Sequence, residues 1–427
     1  MNKIPVYMMT VLVMAGMLFG GCRKKSIEID AVPEEESTMI AGSWMGTYDE
    51  DTFYGKSYTA DGYYQIKNDL MQFTSYDDGK DYVICTQTNC HHNGKDCAAW
   101  INGGSSAIGL ARYNKKLYVV DYSLDNRKYT LKMADLTGEN QKIIAEIPCG
   151  DTKKDGWCMA SVDDVYYCNN TAWCTLQYDY MKNGQQIDAI NQCVGYDLDT
   201  GEKTELTELK KNNAEMDNPF FYRSITERKV CIGDYADYSF YVYDTQEKQI
   251  QKYDNKSLCE KLADTVEDLS VNDVYDVRLA GSSDKTGLYY FEVYVYADQP
   301  KETVVRNMLF SWDLKEQIDV LADYGEGGTL FKLQGNMQST VWGEKEILYA
   351  IDQNDKQTQI MRLDLLTEKS TPLFLDDIHI SFRVLYDCDT YYIGTLDEGD
   401  TLCRIDRQAY DTGDFSKAVK IKKLGVF

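Results

Sequence analysis

The strongest constraint on the fold is a recurrence: an apolar, tyrosine-bearing strand, a polar turn, and a second strand closing on Asp or Thr-Gly, repeated with a period of roughly 40 residues. Residues 116–147 (KLYVVDYSLDNRKYTLKMADLTGENQKIIAEI) form one copy, and 164–170 with 192–206 (DVYYCNN, QCVGYDLDTGEKTEL) form another. Further copies begin at Val230, Gly287, Glu346 and Asp389, and one precedes them at 62–85. That makes seven units; six or eight would satisfy the same period. Within a unit, Leu117 and Val119 alternate with Tyr118 and Val120, so both faces of the strand are apolar. A lone four-stranded sheet of this kind would leave two greasy faces in water. Radial stacking of about seven buries them and leaves only short edges. The expected fold class is therefore all-β, a seven-bladed β-propeller, in preference to a β-sandwich, which rarely keeps so regular a period.

Composition agrees, with 34 tyrosines against six prolines, because aromatic residues favour half-buried pleated strands. The DLTGE, DLDTGE and DLLTE stretches supply Asx and glycine turn chemistry between outer strands. One segment breaks the pattern. Residues 255–271 place Leu258, Leu262, Val266 and Leu269 at helical spacing, which predicts a helical insertion between blades.

The N-terminus carries Lys3, an apolar run from Val6 to Phe19, and then Gly20 and Gly21 directly before Cys22. That is the layout of a secretory signal, 1–21. Its apolar run is shorter than the ~20 residues that a membrane-spanning helix needs. Leu18–Cys22 (LFGGC) resembles the bacterial lipobox, which implies acyl chains on the Cys22 sulfur and attachment to the outer face of the cell membrane. Phe19 departs from that pattern, where a smaller residue is usual. Residues 22–48 open on Arg23, Lys24 and Lys25, carry Glu34, Glu35 and Glu36, and read as a flexible acidic tether. The propeller domain is expected over 49–427.

The chain has 69 acidic and 45 basic side chains. No basic stripe is present that could release counterions from a phosphate backbone, so nucleic acid is excluded as a partner.

The most specific local feature is CTQTNCHHNGKDC, with Cys85, Cys90, His92 and Cys97 in a Cys-x4-Cys-x-His-x4-Cys spacing. Three thiols and an imidazole within thirteen residues suit tetrahedral structural zinc. A disulfide between two of the thiols remains the alternative for an exported protein. The other cysteines read as small buried hydrophobes on strands.

Taken together, the lipobox-like stretch, the tyrosine-rich repeats and the 85–97 loop resemble uncharacterised propeller-type lipoproteins of anaerobic, Clostridia-like Gram-positive bacteria. The resemblance implies fold and location and brings no activity with it.

Catalytic signatures are sparse. His379 is the sole histidine outside the cluster, with no nucleophile elbow to serve it, and reads as a strand residue. Asp197, Asp199 and Glu202 lack calcium-loop spacing and read as a hairpin turn. Trp312-Asp313 reads as a strand end. The expected function is a membrane-anchored extracytoplasmic binding or scaffold module for a peptide, glycan or envelope protein. The alternative is a carbohydrate-active enzyme with carboxylates in the propeller channel.

Overall fold

A computed structural model describes residues 41–43 and 56–424, apart from 103–106, 124, 212–219, 235–236, 238, 268, 271–273, 297–303, 324–329, 333–345, 355–356, 378–380, 389 and 397–400. The signal 1–21, Cys22 and His379 lie outside the described residues.

Seven antiparallel sheets follow one another along the chain, at 57–83, 108–148, 156–211, 220–253, 274–323, 330–377 and 383–423. Six have four strands in simple sequential order, and the third is elaborated to six. The ring is legible in the packing. Tyr118 and Val120 join the cluster shared with blade 3, whereas Leu117 and Val119 join the one shared with blade 1. Every pair of neighbouring blades shares such a cluster, and the seventh, with Tyr58, Tyr63 and Tyr76 against Leu385, Ile393 and Leu402, joins the last blade to the first. This is the seven-bladed β-propeller that the two-faced strands demand.

Among the described residues, closure exchanges no strand between the first and last sheets. It rests on that apolar seam, on Tyr391 Oη donating to the Ala60 carbonyl at 2.6 Å, and on the Lys422–Asp81 ion pair. Aromatic pairs reinforce other seams. Phe291 meets Phe240 of the neighbouring blade edge-on at 5.4 Å and is itself stacked on Phe310 of its own blade at 5.0 Å, arrangements that contribute about 0.5–1.5 kcal/mol each beyond area burial.

The seam between blades 6 and 7 adds an ionic cluster to its apolar one. Glu346, only 6% exposed, lies 2.9 Å from the Arg362 guanidinium and 3.1 Å from that of Arg407. It also accepts from Tyr392 Oη at 2.6 Å. Asp411 and Asp387 hold the outer ends of the two arginines.

Three sequence expectations require correction or refinement. The predicted helix spans Asn255–Thr265, not 255–271. Asp254 caps it by accepting from Ser257 N at 2.7 Å, and Val266 ends it in extended backbone. Leu258 and Leu262 are buried as expected, and Leu269 packs in the same cluster from outside the helix. Second, Ala41–Ser43, inside the segment expected to be a tether, forms a strand on blade 3. Third, the repeat unit split between 170 and 192 is continuous: Gly156–Cys168, Thr171–Lys182 and Gln185–Asp197 form a ribbon with strands of 13, 12 and 13 residues. The DLDTGE stretch is the expected turn, with Asp197 Oδ1 accepting from Asp199 N at 3.0 Å and from Thr200 N at 2.8 Å. Trp312 ends its strand and Asp313 caps the turn after it.

Candidate metal centre

Backbone pairing at one residue gathers the Cys/His cluster. Met71, on the third strand of blade 1 (Leu70–Ser75), accepts from Ile84 N at 3.0 Å and donates to the Ala99 carbonyl at 2.9 Å. Ile101 N then bonds the Asp69 carbonyl, and Trp100 bridges to Leu70. The outer edge of the blade is thus built from two pieces of chain, with 85–97 as an excursion between them. Cys85 and Cys97 stand at its two feet because their neighbours bond the same residue. Within the excursion, Asn89 and His92 adopt positive φ, 63° and 53°. Turns close from Gln87 to Cys90 and from Gly94 to Cys97, bending Cys90 and His92 back over the feet.

As a result, one ligand atom from each of Cys85, Cys90, His92 and Cys97 lies within 4.8 Å of all the others. His92 Nδ1 stands 3.4 Å from Cys97 Sγ. Zinc–sulfur bonds of about 2.3 Å define a tetrahedron with edges of about 3.8 Å, so small side-chain rotations bring the set to bonding distance. All three sulfurs, like those of the other described cysteines, are free thiols. The donor set is soft, matches structural zinc in type and number, and fills the coordination shell. Burial pushes the Cys97 thiol up to about 12, while the His92 backbone N–H draws that of Cys90 below its usual value. A bound cation would deprotonate both.

The excursion also forms one wall of a groove of about 590 Å³ on the outer rim. The opposite wall is the turn between the third and fourth strands of blade 2. Lys95, Asp96 and Trp100 line the first wall, and Lys132, Glu139 and Gln141 the second. Gln141 Nε2 donates across it to the Ala98 carbonyl at 2.8 Å. At Gly138 the two walls approach so closely that a Cβ there would sit 2.5 Å from the Ile84 carbonyl oxygen. Sequence reading singles out the four residues that the structure gathers. It misses Met71, which positions them, because nothing local marks a residue that bonds both feet of a distant loop.

No protein-family model matches the sequence, and no curated protein matches it. Similar solved structures include a proposed 6-phosphogluconolactonase of Bacteroides fragilis, with 8% identity, TM-score 0.38, and coverage of 93% of this chain and 98% of that one. A puromycin-hydrolysing peptidase of Mycobacterium tuberculosis matches at 13% identity and TM-score 0.42, covering 91% of this chain and 57% of that one. Dipeptidyl peptidase 4 of Porphyromonas gingivalis matches at 10% identity and TM-score 0.41, covering 86% and 58%. Similarity at this level carries no activity across, and the ring stands on this chain's own sheets and seams.

Proposed function

We propose that this chain is an exported, lipid-anchored binding module. Acyl chains on Cys22 hold it at the outer face of a membrane, and one face of the ring engages a peptide, glycan or envelope protein. The observation that carries the reading is where the repeat is broken. In an up-and-down ring, the connections between blades and those between second and third strands share one face. The Cys/His excursion after Val83, the blade 3 ribbon turning at Asn183-Gly184, and the helix Asn255–Thr265 all belong to connections of that face. A rigid scaffold whose largest elaborations share one face is how loops are displayed for binding; the short helix Arg407–Asp411, between the third and fourth strands of blade 7, belongs to the other face. Zinc held by Cys85, Cys90, His92 and Cys97 would fix one of these loops, and the groove beside it on the outer rim offers an indole, amides and both signs of charge to a polar ligand.

Two measurements test the reading. Cys22→Ser is expected to move the protein from the membrane fraction to the soluble one, since the acyl chains supply about 0.8 kcal/mol per buried methylene; unchanged retention would point to a spanning helix instead. A screen against peptides, glycans and chromogenic glycosides should find saturable binding without turnover, weakened by Trp100→Ala. Turnover abolished by a single carboxylate replacement would establish the carbohydrate-active enzyme. Asp163 is the first position to replace, because burial raises its carboxyl above the usual range.

A further inference from the structure

Among the described residues, blade 3 alone carries a strand inside its channel-lining strand. Ala41–Ser43 pairs antiparallel with Gly156–Cys168, setting Ala41 opposite Tyr167, Gly42 opposite Tyr166 and Ser43 opposite Val165. The other edge of Gly156–Cys168 is already paired with Thr171–Lys182, so the added strand occupies the edge facing the ring's interior. Val165, Tyr166 and Tyr167 are 0, 3 and 0% exposed. Backbone groups so deeply buried need partners, and here a segment remote in sequence supplies them.

The acceptor edge is locally shaped. The Gly156–Cys168 strand shifts register between Asp163 and Tyr166, and Asp164 has a φ of 51°. A bulge there bends the strand and re-aims the residues that follow. Space beside the edge is scarce. Gly109, on the first strand of blade 2, has a φ of +66°, and a Cβ on it would sit 2.6 Å from the Val165 Cβ. A neighbouring strand pressed this close favours small residues in an added strand, and Ala-Gly-Ser is such a sequence.

We infer that the channel-facing edge Val165–Tyr167 is a strand-acceptor site for an extended peptide with three consecutive small residues, and that the chain's own Ala41–Ser43 is its resident occupant. Main-chain hydrogen bonds supply the attraction and the crowded channel supplies the selectivity, as in strand addition to other sheet edges. The inference deepens the binding-module reading and rests on it for any external ligand, which would have to compete with the resident segment. Ala41–Ser43 runs opposite to the first strand of blade 3, so Ala41 is its end nearer the turn at Asn169-Asn170.

The test is hydrogen exchange on the full chain, read by mass spectrometry over 156–168, in the wild type and in an Ala41→Pro, Ser43→Pro double variant. Proline removes the donors and blocks pairing. Exchange at 165–167 is expected to rise at least about ten-fold, with the first strand of blade 4, Phe220–Ile225, unchanged. A synthetic peptide of residues 38–46 (TMIAGSWMG) in excess should restore protection. Equal exchange in the two proteins overturns resident occupancy, and a rise that the peptide does not reverse overturns the acceptor site. Should the proline variant lose protection throughout the ring, Gly42→Val, which keeps every donor and adds bulk, decides by the same criteria. A negative ligand screen would leave these exchange results intact, so the two readings fail separately.

Discussion

Replacing Glu346 with glutamine is expected to lower the unfolding free energy by about 3 kcal/mol, the cost of breaking a buried ion pair from one side. The carboxylate serves two guanidiniums at once, those of Arg362 and Arg407, and accepts from Tyr392 Oη. These groups come from both sides of the seam, so the loss falls on the contact between blades 6 and 7. Glutamine keeps the shape and one acceptor oxygen but leaves two cations without their shared countercharge. Asp387 and Asp411 still hold the outer ends of the arginines, which keeps the cost at the lower end of the usual range. Urea unfolding at neutral pH measures it. As a control, Glu260→Gln, at the exposed Lys256–Glu260 pair, should change stability by less than about 0.5 kcal/mol. A loss below about 1 kcal/mol for Glu346→Gln would show that the seam does not depend on this carboxylate.

Protein purified under reducing conditions without chelator is expected to carry one equivalent of zinc, and Cys97→Ser to carry less than about a tenth of that. Cys97 is the buried member of the four, 5% exposed, and a hydroxyl cannot replace a thiolate toward a soft cation. His92→Ala should act in the same direction. With the metal gone, the excursion keeps the ties at its feet, from Met71 to Ile84 and Ala99 and from Gln141 to the Ala98 carbonyl, but loses the one that joins Cys90 and His92 to them, so limited proteolysis within 85–97 should accelerate while cleavage of the blades does not. Zinc retained by Cys97→Ser, or a Cys–Cys bond in the wild type, would show that the four residues are not a metal centre.

Much of the ring is legible in the sequence because strand periodicity is a local signal. Leu117 and Val119 against Tyr118 and Val120 announce two apolar faces, and the structure sends each pair to a different seam. Cys85, Cys90, His92 and Cys97 are legible for the same reason, being close in sequence and chemically unusual. Features set by long-range pairing are not. The channel-lining strands, such as Ser57–Tyr58 and Ile108–Tyr113, are short and stand outside the repeated hairpin. The blade 3 ribbon hides behind polar residues such as Asp179, Lys182 and Gln185, which backbone pairing carries through as strand. The helix stops early because Val266 takes extended backbone, which a spacing of leucines does not reveal. Glu346 and its arginines are separated by as many as 61 residues, and no pattern in the chain joins them.

Zinc-edge X-ray absorption of the purified full chain tests most directly whether Cys85, Cys90, His92 and Cys97 act as one closed centre. Three sulfurs at about 2.3 Å and one nitrogen at about 2.0 Å around the metal are expected. A shell dominated by oxygen and nitrogen, or protein free of zinc with its thiols oxidised, would contradict it.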